Sequence, residues 1–357
     1  MRETTNFRTK LAKVNDTYFP MIERQLENNN IEFSKYAKSC TLNAIAAINN
    51  VLDAQGIEWG DTALDTNNVT QTLLTVATLQ LNPTASPREV YFQIRNVAVK
   101  GADGNTVWKK KIEMGIEGDG WDSLLSRFGR NVKTVHPFWL VRENDKFTYP
   151  AYNGLEMTPP QWQPTGEGKV VKVVYPIVNK DNSINFYIAE RADVKKNLIA
   201  HISNNLMNET FGIVTGQKKD KSGKMVDRTR YDATEEEKAK IAEKKREILA
   251  KAKELTLDAI LDNPEFDNYI SPAWKEEQSR ETMIIRKMRN NIVKKIPKDF
   301  SSSLAEEIYH ENADDTYKAY KAEMAEASEA QLIDADFSEI ADNVDKETGE
   351  VINKPEF

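Results

Sequence analysis

The sequence predicts an α+β protein, in which a curved antiparallel sheet or set of hairpins is flanked by helices and followed by a charged helical C-terminal part. Three observations indicate this fold class. Apolar residues recur at helical spacing in two segments near the N-terminus. A region rich in β-branched and aromatic residues follows, with glycine-rich turn chemistry inside it. Helical spacing then returns from about residue 192.

Two helices are expected before the strands. Residues 36–56 and 69–81 carry apolar residues three and four positions apart, and Asn82-Pro83 stops the second helix. Stripes of this kind are typical of core packing. Upstream, residues 1–35 are polar apart from a short amphipathic stretch through Tyr18, Ile22 and Leu26.

The β region begins with a hairpin. Residues 89–99 and 107–114 read as paired strands, and the sequence GADGN at 101–105 supplies the turn. The glycine-rich segment 115–120 ends the second strand. A short helix is expected at 121–128, with Asp119 as its cap and Gly129 as its stop. Further strands are expected at 132–140, 169–178 and 184–189, and an irregular loop at 158–164.

The second half is mainly helical. Residues 192–206 show helical spacing, 211–231 form a charged excursion that we expect to be a protruding hairpin, and 235–255 predict a highly charged, solvent-facing or mobile helix. An amphipathic helix is expected at 272–295, ended by Pro297, and a last helix at 301–331. Residues 332–357 have too little apolar content to fold alone.

These elements predict three parts: an N-terminal arm used for oligomerisation (1–35), a core (36–300) with a charged insertion near 207–255, and an acidic C-terminal helix and tail (301–357). The charge follows this division. Residues 301–357 hold 16 Asp+Glu against four Lys, a net charge of −12, so residues 1–300 carry +5 within a total of −7. A basic body with an acidic tail is a pattern found in proteins that handle nucleic acids.

Several classes of protein are disfavoured. No apolar run approaches the length of a membrane span, and the start MRET lacks the apolar stretch of a secretory signal. The single cysteine, Cys40, suits a reducing cytosol, and the three histidines have no metal-ligand spacing. No phosphate-binding loop of the G-x-x-x-x-G-K-[ST] type and no nuclease or hydrolase arrangement is recognisable, so we expect neither a cofactor nor an enzymatic activity.

The first basic cluster runs from the second strand of the predicted hairpin, through the short helix, to the start of the next strand. Cations neutralise phosphates and aromatic rings stack on unpaired bases. Strand alternation places Lys109 and Lys111 on the face opposite Lys110. The alternative is a solvated strand edge, with Trp121 filling the core. The candidate DNA-binding residues of this cluster are Lys109, Lys110, Lys111, Trp121, Arg127, Arg130 and Lys133.

The second basic cluster lies on the helix expected at 272–295. It carries positive charge on more than one side of an apolar stripe. This pattern is typical of a helix that lies along a phosphate backbone, but also of a well-solvated surface helix. Its candidate DNA-binding residues are Arg280, Arg286, Lys287, Arg289, Lys294 and Lys295.

The order of these motifs resembles the RecT family of phage single-strand annealing proteins, over about residues 73–299. The segment 77–83 is similar to the family's A-x-L-x-L-x-P helix end, Gly115 and Gly118 match the glycines of Q-x-x-x-G-Y-K-G, and 124–129 resembles A-x-R-x-G with Arg127 at its basic position. Residues 272–274 resemble a Pro-Trp motif, and 283–297 resemble the M-A-x-K-T-x-x-R helix. The chain departs from the pattern at Glu117, which replaces the family lysine, at Asn290, and in the insertion.

The resemblance implies a protein of the bacterial cytoplasm that coats single-stranded DNA and anneals complementary strands without ATP, holding both the single strand and the annealed duplex. It also implies a ring or helical filament of identical subunits, and a partner exonuclease or host single-strand binding protein. The acidic tail would compete for the DNA groove, recruit partners or simply aid solubility. Two other functions remain open: a passive single-strand binding protein that does not anneal, and a scaffolding protein whose charged helices make protein contacts.

Overall fold

A computed structural model of the chain describes residues 10–100, 106–219, 223–300 and 302–313. Its helices are α1 (Lys10–Asn28), α2 (Lys35–Ala54), α3 (Thr66–Leu79), α4 (Gly118–Phe128), α5 (Lys195–Leu206), α6 (Glu235–Glu254), α7 (Leu257–Leu261), α8 (Pro272–Lys275), α9 (Glu277–Val293) and α10 (Ser303–Ala313). Short 3₁₀ helices lie at Arg191–Val194, Arg230–Asp232 and Pro264–Tyr269.

The strands are β1 (Val90–Lys100), β2 (Thr106–Ile116), β3 (Val132–Val135), β4 (Trp139–Arg142), β5 (Lys146–Thr148), β6 (Ala151–Asn153), β7 (Glu156–Thr158), β8 (Gln161–Gln163), β9 (Val170–Asn179), β10 (Ile184–Glu190), β11 (Gln217–Lys219) and β12 (Met225–Asp227). All the paired strands are antiparallel, in small open sheets. The protein is therefore α+β, as the sequence predicts.

Side-chain caps fix the starts of α2 and α3. The Ser34 hydroxyl accepts a hydrogen bond from the Ala37 N–H (3.1 Å), and the Asp65 carboxylate accepts one from the Asn68 N–H (3.0 Å). α3 ends where Gln80 adopts a left-handed φ of 54°, shortly before the predicted stop at Asn82-Pro83. Both helices match the predicted segments to within a few residues.

α1 lies within the segment expected to be an oligomerisation arm. Its apolar stripe, through Tyr18, Ile22 and Leu26, is buried in a helical layer formed with α2 and α3. The ring of Tyr18 contacts that of Trp59 (5.8 Å between centroids). These apolar side chains therefore pack within the chain itself.

β1 and β2 form the predicted hairpin, and pair without a break from Val90↔Ile116 to Lys100↔Thr106. The predicted turn, residues 101–105, lies outside the described residues. On one face, Val90, Phe92 and Ile112 are buried.

α4 joins the hairpin to the main sheet. It begins at Gly118, with Glu117 at the N-cap position and no side-chain cap bond. The prediction of Asp119 as the cap is therefore wrong, because this residue lies in the first turn of the helix. The predicted stop is confirmed, since Gly129 occupies the C-cap.

The main sheet is built around β9, which pairs with β10 on one edge and with β3 and β4 on the other. The predicted strand at 132–140 is interrupted at Pro137, which lies between β3 and β4. Up to that point the chain follows β9, since the His136 N–H donates to the Pro176 carbonyl (3.1 Å). The segment predicted as a loop contains β8, which pairs with β5. α9 packs on β9, β10 and α4, so it lies at the centre of the fold.

The charged insertion contains the predicted hairpin, formed by β11 and β12, and the predicted helix, α6. Only Ile241 and Ala252 of α6 are buried, so this helix faces solvent as expected. The amphipathic helix expected at 272–295 is two helices, since Glu276 is extended (ψ 133°) between α8 and α9.

The chain divides into two units, Met1–Glu306 and Glu307–Phe357. The helix expected at 301–331 is described as α10 up to Ala313, and residues 314–357, including the predicted tail, lie outside the described residues. Within the described ranges, no helix has the length and apolar character needed to cross a bilayer.

Candidate nucleic-acid interface

The C-terminal ends of the two basic clusters of the sequence meet in space where α4 and α9 end. The Arg130 N–H donates to the Pro297 carbonyl (2.8 Å), and the Asp299 N–H donates to the Phe128 carbonyl (2.8 Å). The rings of Phe128 and Phe300 pack beside this short antiparallel contact (5.0 Å between centroids). Residues after α4 and residues after α9, which are far apart in sequence, therefore form one surface.

This surface contains a cleft of about 420 Å³, which we call the basic cleft. It lies between the segment after α4, the turn joining β9 to β10, and the segment after α9. Its lining residues are Arg130, Asn131, Val132, Asn179, Lys180, Asp181, Asn185, Tyr187, Ile296 and Pro297.

Turn chemistry shapes the walls of the basic cleft. Asn131 (φ 59°) and Asn182 (φ 65°) are both left-handed, a conformation that asparagine tolerates better than most residues. The Lys180 N–H donates to the Asn131 carbonyl (2.8 Å), which ties one wall to the other. At the rim, the Lys133 ammonium donates to the Asn182 side chain (2.6 Å).

Cations outnumber acids around the basic cleft. Lys295 is exposed next to its lining residue Ile296, and Arg130, Lys133 and Lys180 are exposed as well. The nearby acids already have partners. Asp299 pairs with Arg130 at 2.6 Å, and Asp181 accepts hydrogen bonds from the N–H (2.9 Å) and hydroxyl (2.6 Å) of Ser183. These hydrogen bonds lower the pKa of Asp181, so this carboxylate stays ionised while its Oδ1 accepts hydrogen bonds within its own turn.

Two further lysines lie beneath this surface. Lys294 is placed over the ring of Trp121, with its Nζ 4.6 Å from the ring centroid. Lys298 donates to the Val293 carbonyl (2.6 Å) and the Ile296 carbonyl (2.9 Å), and so satisfies acceptors at the C-terminal end of α9. Burial, and secondarily the charge of Lys294, lower the pKa of Lys298 to about 8.

Trp121 is not available as a stacking platform. It is 3% exposed and belongs to the core, because α4 turns its apolar face towards the interior of the fold. The structure thus favours the alternative interpretation of this residue, and its role as a DNA contact is corrected.

Arg289 is also removed from the set of candidate phosphate contacts, because it is buried. Its guanidinium donates to Asp119 (2.8 Å), Asp122 (2.5 Å) and the Tyr175 hydroxyl (3.0 Å), and lies over the Phe138 ring. Burial raises the pKa of Asp122, an effect that the nearby guanidinium partly offsets. This buried arginine therefore pairs with two half-buried acids and connects α9 with α4 and β9.

Three other candidates on α9 are also engaged. Arg280 pairs with Asp262 (2.6 Å), and Arg286 pairs with Glu117 (3.0 Å). Lys287 is half-buried. Burial, and then the charge of Lys287, lower the pKa of His201. These three residues do not line the basic cleft.

Arg127 belongs to a separate cluster around the buried Glu89. It donates to the Glu89 carboxylate (3.0 Å) and to the Gln80 carbonyl (2.9 Å), and it lies against the ring of Tyr36. The same region requires glycine at position 120, since a Cβ there would lie 2.1 Å from the Glu89 carbonyl oxygen. Arg127 thus holds the ends of α3 and α4 together.

The three hairpin lysines lie away from the basic cleft. Lys110 shares a face of β2 with Trp108, and Lys109 and Lys111 lie on the opposite face, which confirms the predicted alternation. Lys111 pairs with Asp65 (3.3 Å), and Lys109 donates to a loop carbonyl. Trp108 is 65% exposed, so the accessible tryptophan beside these lysines is Trp108 and not Trp121.

Sequence reasoning missed part of the basic cleft. Lys180 lies between two predicted strands and Tyr187 lies within the second of them, and nothing local places either residue beside residue 296. Lys298, which lies beneath this surface, is also absent from the predicted set. Its position just after Pro297 and close to Lys294 and Lys295 is the sequence signal that could have included it.

The glycines that carry the family resemblance have packing roles here. A Cβ at Gly115 would lie 2.2 Å from the Tyr91 ring, and one at Gly118 would lie 3.3 Å from Arg289. Comparison with known protein families finds none that matches this chain. Comparison with curated proteins likewise finds no similar sequence.

Proposed function

We propose that this protein binds single-stranded DNA and anneals complementary strands without ATP, in phage-type homologous recombination in the bacterial cytoplasm. The observation that carries the proposal is the pair of cations that line the basic cleft, Arg130 and Lys180. Lys133 is hydrogen-bonded to Asn182 at the rim, and the exposed Lys295 precedes the lining residue Ile296. Cations grouped at a cleft can track a phosphate backbone, and phosphate contacts do not depend on base sequence.

The remaining lining suits unpaired bases. Asn131, Asn179 and Asn185 provide amide donors and acceptors, and the half-buried ring of Tyr187 provides an aromatic surface. A strand held by its phosphates leaves its base edges able to test a second strand. Watson–Crick pairing then supplies the specificity, so annealing needs no catalytic residue and no cofactor.

Oligomerisation of the protein would extend these backbone contacts along the DNA. Identical subunits in a ring or helical filament would hold a single strand, and then the annealed duplex, through repeated basic clefts. A partner exonuclease would produce the single strands, or a host single-strand binding protein would deliver them. These partners follow from the resemblance to the RecT family.

The test is the annealing of complementary oligonucleotides, one labelled with a donor and one with an acceptor dye, in the absence of nucleotide. We expect the protein to accelerate annealing, and to bind the single strand with an affinity that falls steeply with salt. Binding without acceleration would identify a passive single-strand binding protein. Self-assembly with no salt-dependent affinity for DNA would identify a scaffolding protein.

A further inference from the structure

A second cleft, which we call the insertion cleft, lies within the charged insertion. Its volume is about 280 Å³. It is formed by the turn after α5, the 3₁₀ helix Arg230–Asp232 and one side of α6. Its lining residues are Met207, Asn208, Glu209, Thr210, Arg230, Tyr231, Ala233, Lys238, Ile241, Ala242 and Lys245.

The exposed ring of Tyr231 is the first notable feature of this cleft. The residue is 79% exposed. The guanidinium of Arg230 covers one face of the ring, 4.5 Å from its centroid, and also donates to the Asn208 side chain. The opposite face of the Tyr231 ring is therefore accessible, and the bond to Asn208 holds Arg230 in place beside the ring. Exposing a large aromatic side chain gains nothing for folding, so this ring is a candidate contact surface.

The charge of the insertion cleft favours an anion. Its lining includes the cations Arg230, Lys238 and Lys245 and one acid, Glu209. Lys238 is paired with Glu235 (2.7 Å), so Arg230 and Lys245 are the cations that favour an anion. The carboxylate of Glu209 is engaged by the backbone, since it accepts hydrogen bonds from the N–H groups of Thr210 (3.0 Å) and Phe211 (2.7 Å). Phe211 has a left-handed φ of 54°, a conformation that these hydrogen bonds help to hold.

Lys245 is the cation best placed for an incoming anion. Its ammonium donates to the Met207 carbonyl (2.9 Å). Burial, and then the charge of Arg230, lower the pKa of Lys245. Arg230 and Lys245 line the same cleft, where their like charges repel each other. A phosphate between them would relieve this repulsion.

We propose that the insertion cleft binds one nucleotide unit of single-stranded DNA, with its base stacked on Tyr231 and its phosphate beside Arg230 and Lys245. A volume slightly below the usual range of small-molecule pockets suits one base better than a larger ligand. Base stacking on an exposed ring, next to cations that neutralise a phosphate, is the usual way in which proteins hold unpaired strands. This inference rests on the proposed function and adds a second contact outside the basic cleft.

The experiment measures the affinity of the full-length protein for a long polythymidine oligonucleotide by fluorescence anisotropy. Tyr231→Leu removes the ring and keeps an apolar side chain, while Tyr231→Phe keeps the ring. Tyr152→Leu is the matched control, because Tyr152 is 70% exposed on a different hairpin. We expect about ten-fold weaker binding for Tyr231→Leu, and near wild-type binding for Tyr231→Phe and Tyr152→Leu. Lys245→Gln should make the negative slope of log affinity against log salt less steep by roughly 0.7.

A cross-linking measurement locates the contact directly. An oligonucleotide that contains 5-iododeoxyuridine is irradiated with the wild-type protein, and the cross-linked peptide is identified by mass spectrometry. A cross-link at Tyr231 supports the proposal. Wild-type DNA binding that Tyr231→Leu leaves unchanged would overturn this inference and leave the proposed function standing. A wild-type protein that binds no single-stranded DNA would overturn the proposed function itself.

Discussion

The guanidinium of Arg130 donates to the carboxylate of Asp299 across 2.6 Å, at the place where the C-terminal ends of the two basic clusters of the sequence meet. Both side chains are more than half exposed, so the pair adds little to stability. Its main effect is electrostatic, because Asp299 neutralises a cation that lines the basic cleft.

Asp299→Asn should strengthen the binding of single-stranded DNA, because Arg130 then loses its competing anion. An exposed pair is worth about 0.2–1 kcal/mol, so we expect an increase in affinity of about 1.4- to 5-fold. Fluorescence anisotropy at constant salt measures the change. Glu23→Gln, which removes an exposed acid paired with Lys38, is the matched control. Unchanged affinity in Asp299→Asn would place the strand elsewhere.

Removing three cations of the basic cleft should weaken binding and reduce its dependence on salt. The plot of log affinity against log salt has a negative slope. In the variant Arg130→Gln, Lys133→Gln, Lys295→Gln, each lost phosphate contact should make this slope less steep by roughly 0.7. Binding measured over a salt series gives this slope. Lys13→Gln, which removes an exposed lysine of α1, should leave the slope almost unchanged. Equal slopes for the wild type and the triple variant would exclude the basic cleft as the phosphate site.

Arg289→Met should destabilise the fold. The change leaves Asp119, Asp122 and the Tyr175 hydroxyl without their buried cation, and breaking a buried ion pair in this way costs about 3–5 kcal/mol. Urea denaturation measures the free energy of unfolding. Arg246→Met, at an exposed position of α6, is the control and should change this free energy little. Normal stability in Arg289→Met would contradict a structural role.

Lys298 should make stability depend on pH in the alkaline range. Its pKa is about 8 in the folded protein, below the value of about 10.4 in an unfolded chain, so the unfolded state binds more protons between these values. Stability contributed by this group therefore rises as pH increases from about 8 to about 10. Below about pH 8 the lysine is protonated in both the folded and the unfolded state, so the free-energy cost of burying its charge does not change with pH.

The comparison with Lys298→Met isolates this contribution from other titrating groups. We expect the wild type to gain stability relative to the variant as pH rises from about 7 to about 10, measured by urea denaturation at each pH. A constant difference between the two proteins would show that the lysine titrates normally in the folded state.

Removal of the acidic tail should leave DNA binding intact or strengthen it. Truncation after Ala313 keeps α10 whole and removes 13 Asp+Glu and four Lys, a net charge of −9. Fewer negative charges on the protein mean less repulsion of DNA, most clearly at low salt. Anisotropy with the truncated protein measures the effect. A large loss of affinity would instead assign the tail a direct part in binding.

The sequence predicted the elements whose signal is local. Helical spacing located α2 and α3, and turn residues between β-rich segments located the β1–β2 hairpin. Alternation also placed Lys110 correctly on the face opposite Lys109 and Lys111. Each of these depends on neighbours within a few positions, where periodicity and turn chemistry determine the structure.

The candidate site was predicted only in part, because its geometry depends on distant contacts. A basic residue looks the same in sequence whether it faces solvent, like Arg130, or half-buried acids, like Arg289. Trp121 was named beside the hairpin lysines, yet α4 turns it into the core and leaves Trp108 exposed. Lys180 and Tyr187 join the site only through the packing of the β9–β10 turn beside Ile296.

The most direct test of the central claim is the rate at which the protein anneals two complementary dye-labelled oligonucleotides without nucleotide. The wild type is compared with the triple variant Arg130→Gln, Lys133→Gln, Lys295→Gln and with Lys13→Gln. The account predicts rapid annealing by the wild type and Lys13→Gln, and a strongly reduced rate for the triple variant. It is contradicted if the wild type anneals no faster than the free strands, or if the triple variant anneals as fast as the wild type.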